Sequence, residues 1–171
     1  MERISTVGYK AVLSGAATMT TPAGQQWRVV TLAGLVALKL IAWQDRPEKR
    51  GKDALDVRSL LQRYFYLEQE AIYTRHHDLF DESDSMDPGL FLQLVATRVL
   101  GRQLQELLKS EPVRTRLLDL LRAELKSGEQ SRLARAMSQA QYRDEPAIPS
   151  LKNCLALLGA LLAGLMDAQQ G

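Results

Sequence analysis

Two cations in the first third of the chain have a spacing that could serve phosphate chemistry. Lys39 is the only charged residue between Arg28 and Asp45, and Arg46 follows it seven positions later. On a helix, this spacing places both cations on one face. A lysine ammonium is a compact point charge, whereas an arginine guanidinium can bind two oxygens at once through parallel N–H groups. The two together could therefore hold a triphosphate.

An acidic pair follows in the pattern Lys52-Asp53-x-x-Asp56. The two carboxylates lie at the predicted start of a second helix, where the helix dipole favours negative charge. A carboxylate beside a bound phosphate could also transfer a proton or orient a cation. A purely structural interpretation remains open, in which Lys39 extends past Trp43 into solvent or pairs with Asp56. Considered alone, Lys39 fits this structural interpretation somewhat better than a ligand-facing role.

The elements that must position these residues are predicted to be mostly helical. Thr31 is a suitable N-cap for a helix that reaches about residue 44 and is apolar on most of its circumference. Two short strand patterns flank a turn with Pro22 and Gly24, which predicts a hairpin. We therefore predict a mainly α (α+β) protein, with a short N-terminal β-hairpin packed on a bundle of about seven helices. The strand patterns cover 17–21 and 26–30, and the later helical patterns cover 52–67, 68–76, 88–109, 112–126, 130–142 and 150–169.

Composition and charge fit an ordinary soluble globular protein. Of the 171 residues, 46% are apolar and 25% are charged, and the net charge of +2 gives no general argument for nucleic acid or an anionic membrane. The most apolar run, 155–166, is too short for a bilayer, which needs about 20 residues. The single cysteine, Cys154, lies beside this run and is expected to be a reduced, buried thiol. These features predict a cytoplasmic protein with no membrane partner.

Other candidate sites are weaker. His76 and His77 are adjacent, so on a helix their side chains point about 100° apart, and no third ligand has a suitable spacing. We therefore predict a surface pair there rather than a metal site. The arginine-rich stretches 114–122 and 132–143 contain interleaved or neighbouring acidic residues, which favours a solvated surface over an RNA-binding one.

Residues 37–65, ALKLIAWQDRPEKRGKDALDVRSLLQRYF, resemble the later motifs of the AbiEii/AbiGii-type nucleotidyltransferase toxin family. In that family, a Leu-Lys-Leu-x-Ala-x-x-x-Arg helix is followed by a short basic loop and a Lys-Asp-x-x-Asp helix. Residues 7–16 and 29–35 resemble the segment before these motifs, and 86–104 resemble a later leucine-glycine helix. The matching motif positions are Lys39, Ala42, Arg46, Lys52, Asp53 and Asp56.

The resemblance implies a nucleotide-binding fold whose toxins transfer nucleotides, often to tRNA ends. It implies that Lys39 contacts the nucleotide phosphates, with Arg46 and Lys52 as further phosphate-binding cations. Either Asp53 or Asp56 would be the active-site carboxylate, and both are carried as catalytic candidates. The same resemblance divides the chain into a partial nucleotidyltransferase-like core, 1–67, and a helical C-terminal domain, 68–171. It further implies a bacterial toxin–antitoxin system, with an antitoxin as partner and tRNA as acceptor.

One part of the family pattern is missing. Such enzymes have an earlier Gly-Ser turn and an Asp-x-Asp pair that holds the metal bridging the NTP phosphates, whereas Glu2 is the only acidic residue before Asp45. We therefore expect the C-terminal portion of such a protein, inactive alone, with no cofactor of its own. Mg²⁺ and NTP would bind only when an N-terminal catalytic half is supplied in cis or in trans. Whether the chain acts as an enzyme is left open.

The alternative is a non-catalytic helical module for protein interaction or oligomerisation. Two isolated strands cannot form a stable sheet alone, and a helix that is apolar all round needs cover on several sides. Both features predict an apolar surface that another polypeptide would cover.

Overall fold

The computed structural model describes residues 6–80, 87–108, 111–139 and 148–167. Within these ranges it contains seven α-helices and one antiparallel hairpin, which confirms the predicted mainly helical fold. Two short 3-10 turns, His77–Leu79 and Gly128–Gln130, join helices. The elements are α1 (Thr6–Ser14), β1 (Ala17–Thr20), β2 (Gln26–Val29), α2 (Leu32–Asp45), α3 (Gly51–Arg75), α4 (Pro88–Leu107), α5 (Glu111–Lys126), α6 (Arg132–Met137) and α7 (Leu151–Met166).

Helix starts follow the local signals in the sequence. The Thr31 hydroxyl accepts a hydrogen bond from the Gly34 N–H and begins α2. Asp87 caps α4, with Pro88 in the first helical turn. Ser150 caps α7, which is formed by the most apolar run of the chain and lies largely in the core. No helix in the described ranges is long and apolar enough to cross a membrane.

Helix α3 is the longest element and bends in its middle. The sequence predicts two segments that meet between residues 67 and 68, and the structure joins them in one helix with a non-helical residue, Glu68, at φ −125° and ψ 20°. Both halves reach the core, through Leu61 before the bend and Ile72 after it. Consequently α3 packs against α2, α4 and α6. The division into two domains at this point stays a prediction.

Helices α4 and α7 approach each other closely. Gly101 of α4 and Gly164 of α7 face each other, and a Cβ on Gly164 would overlap the backbone carbonyl of Arg98. The two helices can therefore approach until their backbones touch. This contact forms one side of a core to which all the helices contribute buried residues.

The hairpin carries its apolar face outward. In the register Ala17↔Val29 and Met19↔Trp27, these four residues lie on one face, because side chains alternate along a strand. Met19 is 58% exposed and Trp27 is 60% exposed. On the opposite, polar face, Arg28 donates hydrogen bonds to carbonyl groups at the end of α1. The hairpin thus meets the helices through a polar contact and leaves an apolar surface open.

Candidate active site

Lys39 lies at the centre of the candidate site, between two carboxylates. Its Nζ donates to Oδ1 of Asp53 at 2.8 Å and to Oδ2 of Asp56 at 2.7 Å. The predicted pairing with Asp56 is confirmed, and Asp53 joins it. The two aspartates reach the same ammonium because an i, i+3 spacing places them on one face of α3.

The connection between α2 and α3 explains how these groups meet. Residues 46–50 form a five-residue link in which Pro47 cannot continue the helix. A short link places two helices side by side, so the middle of α2 faces the first turns of α3. Lys39 is only partly buried, with 28% of its side chain exposed, so the site opens to solvent rather than into a sealed core.

The two aspartates have different environments. The Asp53 side chain is 8% exposed and also accepts a hydrogen bond from Arg50 at 3.4 Å, whereas the Asp56 side chain is 33% exposed. Asp53 is therefore an inner anchor with two cationic partners. Asp56 holds Lys39 at the rim, where a ligand could also reach it.

The electrostatics of the pair keep Lys39 charged. Burial alone would lower the pKa of Lys39, but the hydrogen bonds and negative charges of Asp53 and Asp56 outweigh it and raise that pKa. An ammonium has three N–H donors, of which the aspartates take two. Among the described residues no other group accepts from Lys39, so the third donor could bind an oxygen of a ligand.

The other two predicted cations lie at the end of α2 and the start of α3, on either side of the link. Arg46 is the C-cap residue of α2, half-buried, and its backbone N–H donates to the Trp43 carbonyl. Lys52 is exposed in the first turn of α3, and its side chain makes no hydrogen bond or ion pair with any described residue. Sequence reasoning missed Arg50 as a partner of Asp53, although its i, i+3 spacing was the available signal.

A second charged group, the Arg102 network, lies away from this site and joins His76, Asp78, Arg98, Arg102 and Asp167. The Arg102 guanidinium binds Asp78 at 2.6 and 3.1 Å, Asp167 at 2.6 Å and His76 Nδ1 at 3.2 Å. Arg98 donates two hydrogen bonds to Asp167. His76 is therefore placed beside an arginine. Across the described ranges, no three His, Cys, Asp or Glu side chains form a group that could hold a metal.

The fold and the Lys39 cluster define a mainly helical protein with a partly exposed cation–carboxylate cluster between two helices. The sequence model for a family described as "Nucleotidyl transferase AbiEii toxin, Type IV TA system" matches residues 9–157. Since this match covers most of the chain, the protein belongs to the AbiEii nucleotidyltransferase toxin family of type IV toxin–antitoxin systems. Searches of curated proteins and of solved structures gave no significant match.

Proposed function

We propose that this chain supplies the phosphate-binding side of an NTP site in a nucleotidyltransferase of this family. The observation that carries the proposal is the Lys39 ammonium held by Asp53 and Asp56 at 2.8 and 2.7 Å on a partly exposed surface. This geometry fixes the direction of one cation and leaves one N–H for a phosphate oxygen.

Each site residue then has a separate role. Asp53 positions Lys39 from the protein interior, because it is buried and held by Arg50 as well. Asp56 is the carboxylate that faces the reacting groups, because a third of its side chain is exposed. Arg46 and Lys52 bind the phosphates that Lys39 does not reach. The Arg46 guanidinium can bind two phosphate oxygens at once, and the Lys52 ammonium adds a second positive charge beside the fixed Lys39.

The described residues fit the phosphates better than they fit the metal. Asp53 and Asp56 already bind Lys39, so they would be poor ligands for Mg²⁺ while that pair persists. We propose that carboxylates from an N-terminal segment, in cis or in trans, hold Mg²⁺ and complete the site. Bound Mg²⁺ would neutralise charge on the transferring phosphoryl group. The completed protein would transfer nucleotides to tRNA and be restrained by an antitoxin, and the chain alone would not be active.

Titration of the chain with each NTP, with and without Mg²⁺, tests this proposal. Productive binding of Mg²⁺ and NTP needs the N-terminal half, so from the chain alone we expect only weak, salt-sensitive binding of the triphosphate to its cations, which Mg²⁺ strengthens little. Arg46→Gln should weaken this binding about tenfold, because a charge-assisted hydrogen bond is lost. Lys126→Gln, an exposed lysine at the end of α5, is the matched control and should change nothing. Failure of all four NTPs to bind, or an equal loss in both variants, would contradict the proposal.

A second candidate function is oligomerisation through the outward face of the hairpin. A two-stranded hairpin is marginally stable alone, and packing the outward faces of two copies against each other would cover both apolar surfaces in a two-fold dimer. The apolar residues of both copies would then share one surface, which includes Met19 and Trp27.

Sedimentation equilibrium tests this second candidate. We expect the chain to dimerise with increasing concentration, and the double variant Met19→Thr/Trp27→Thr to remain monomeric with an unchanged helical circular dichroism spectrum. Threonine keeps the strand preference while the apolar area is removed. A chain that stays monomeric at all concentrations would exclude this function.

A further inference from the structure

Helix α5 reaches the end of α2 through the side chain of Arg116. The Arg116 Nε donates to Oε1 of Gln44 at 2.6 Å, and its Nη2 donates to the carboxylate of Asp45. Gln44 and Asp45 are the last two residues of α2, and they precede Arg116 by 72 and 71 positions. One guanidinium therefore holds both residues against α5, from a part of the chain outside the Lys39 cluster. We call this contact the Arg116 clamp.

The end of α2 carries a charge that favours such a clamp. Asp45 lies in the last turn of this helix, where the helix dipole disfavours a carboxylate, and α2 has no basic residue in that turn. Arg116 supplies the cation from α5 instead. Pro47 follows two positions after Asp45 and cannot continue the helix, so the clamp holds the point at which the chain leaves α2.

Arg46 comes directly after the clamp. It is the C-cap residue of α2, with φ −151° and ψ 69°, and one peptide unit joins it to Asp45. A shift of the Asp45 backbone therefore moves the base of the Arg46 side chain. Lys39, by contrast, lies earlier in α2 and is held by two carboxylates of α3. Loss of the clamp would consequently change the distance between the two cations that bind the phosphates.

From this geometry we infer that Arg116 is a positioning residue for the NTP site. It acts through the end of α2, where it keeps the Arg46 side chain at a constant distance from Lys39, so that both cations meet one triphosphate. The inference rests on the proposed function, because it assigns Arg116 a role in the same site. It also gives the C-terminal helices a part in that site, since α5 lies outside the matching motifs 37–65.

Titration with the NTP that the parent chain binds most tightly tests the inference. Arg116→Gln should weaken binding roughly threefold, because a misplaced Arg46 loses part of its charge-assisted contact. Asp45→Ala removes the clamp from the α2 side and should weaken binding by a similar factor. A general charge effect predicts the opposite sign for Asp45→Ala, since this change removes a negative charge near a site for an anion. The two variants together therefore separate positioning from electrostatic attraction.

A double variant tests whether Arg116 acts through Arg46. In the Arg46→Gln background, Arg116→Gln should cause no further loss, because the residue that it positions is already gone. Arg122→Gln is the matched control, since Arg122 lies on the same helix and contacts Met166 of α7, and it should bind like the parent. Circular dichroism should show the same helical content in all variants, because Arg116 and Asp45 are partly exposed.

The outcomes distinguish this inference from the proposed function. Unchanged binding by Arg116→Gln, tighter binding by Asp45→Ala, or a further loss in the double variant would overturn the positioning role. Each of these results, obtained with a parent chain that binds NTP, leaves the proposed function standing. Failure of the parent chain to bind any NTP would contradict both.

Discussion

At the scale of single residues, Lys39 shows how far a sequence can specify a site. A lone lysine on an apolar helix needs a partner, and Asp56 was predicted as one. The deeper burial of Asp53 depends on how α3 lies against α2, which no local pattern encodes. The sequence therefore predicted Asp56 as a partner of Lys39, but not that Asp53 joins it from the inside.

Removing the Lys39 charge should show that Asp53 is the buried partner. We expect Lys39→Met to lower the free energy of unfolding by about 2 kcal/mol, because the buried Asp53 carboxylate loses its main partner. The loss is not larger, because Lys39 is partly exposed and solvent screens its charge. Urea denaturation measures the change. Adding Asp53→Asn to Lys39→Met should restore part of the stability, since the unpaired charge is then removed. Lys52→Met, an exposed neighbour, should stay within about 0.5 kcal/mol of the parent. If the double variant is less stable than Lys39→Met, Asp53 is not the inner anchor.

At the scale of elements, the helix starts were predictable and the helix pairings were not. Thr31, Asp87 and Ser150 are local signals, and each caps the helix that was predicted. The close approach of α4 and α7 depends on two glycines that are 63 positions apart, Gly101 and Gly164. Only the folded chain brings these two positions together.

Adding one methyl group at this crossing should be costly. We expect Gly164→Ala to destabilise the protein by about 3 kcal/mol, because its Cβ would meet the Arg98 backbone and the helices must separate. Gly159→Ala in the same helix is the matched control, since its Cβ would meet only Leu125 Cδ2 at 4.0 Å. That control should be neutral or up to about 1 kcal/mol more stable, through helix propensity. Thermal unfolding of both variants measures the two effects. Equal stability of the two variants would refute the close contact between α4 and α7.

At the scale of the whole molecule, the Arg102 network joins the end of α3, the following 3-10 turn, α4 and the end of α7. Its members lie as far apart in sequence as His76 and Asp167. The sequence predicted His76 as a surface residue, and half-burial beside Arg102 was not foreseen. Such a network forms because α4 packs on α7. It therefore follows from the tertiary fold and not from the spacing of its residues along the sequence.

This network should make stability depend on pH. Burial and Arg102 lower the pKa of His76 below its ordinary 6.5, so the unfolded chain takes up a proton before the folded chain does. The stabilisation is complete above pH 6.5 and is lost as pH falls through the folded pKa. The melting temperature should therefore fall between pH 7 and pH 5, and His76→Asn should reduce that fall. His77→Asn, an exposed neighbour, should leave the pH profile unchanged. A pH profile identical to the parent's in His76→Asn would refute this role.

The outward hairpin also places the two tryptophans of the chain in opposite surroundings. Trp27 is 60% exposed on the open face, whereas Trp43 is 3% exposed in α2, one turn from Lys39. Trp27 emission therefore reports on whatever covers the hairpin, and Trp43 emission reports on the core beside the candidate site. Because the two indoles differ in solvent contact, intrinsic fluorescence can separate partner docking from loss of the helical core without any added label.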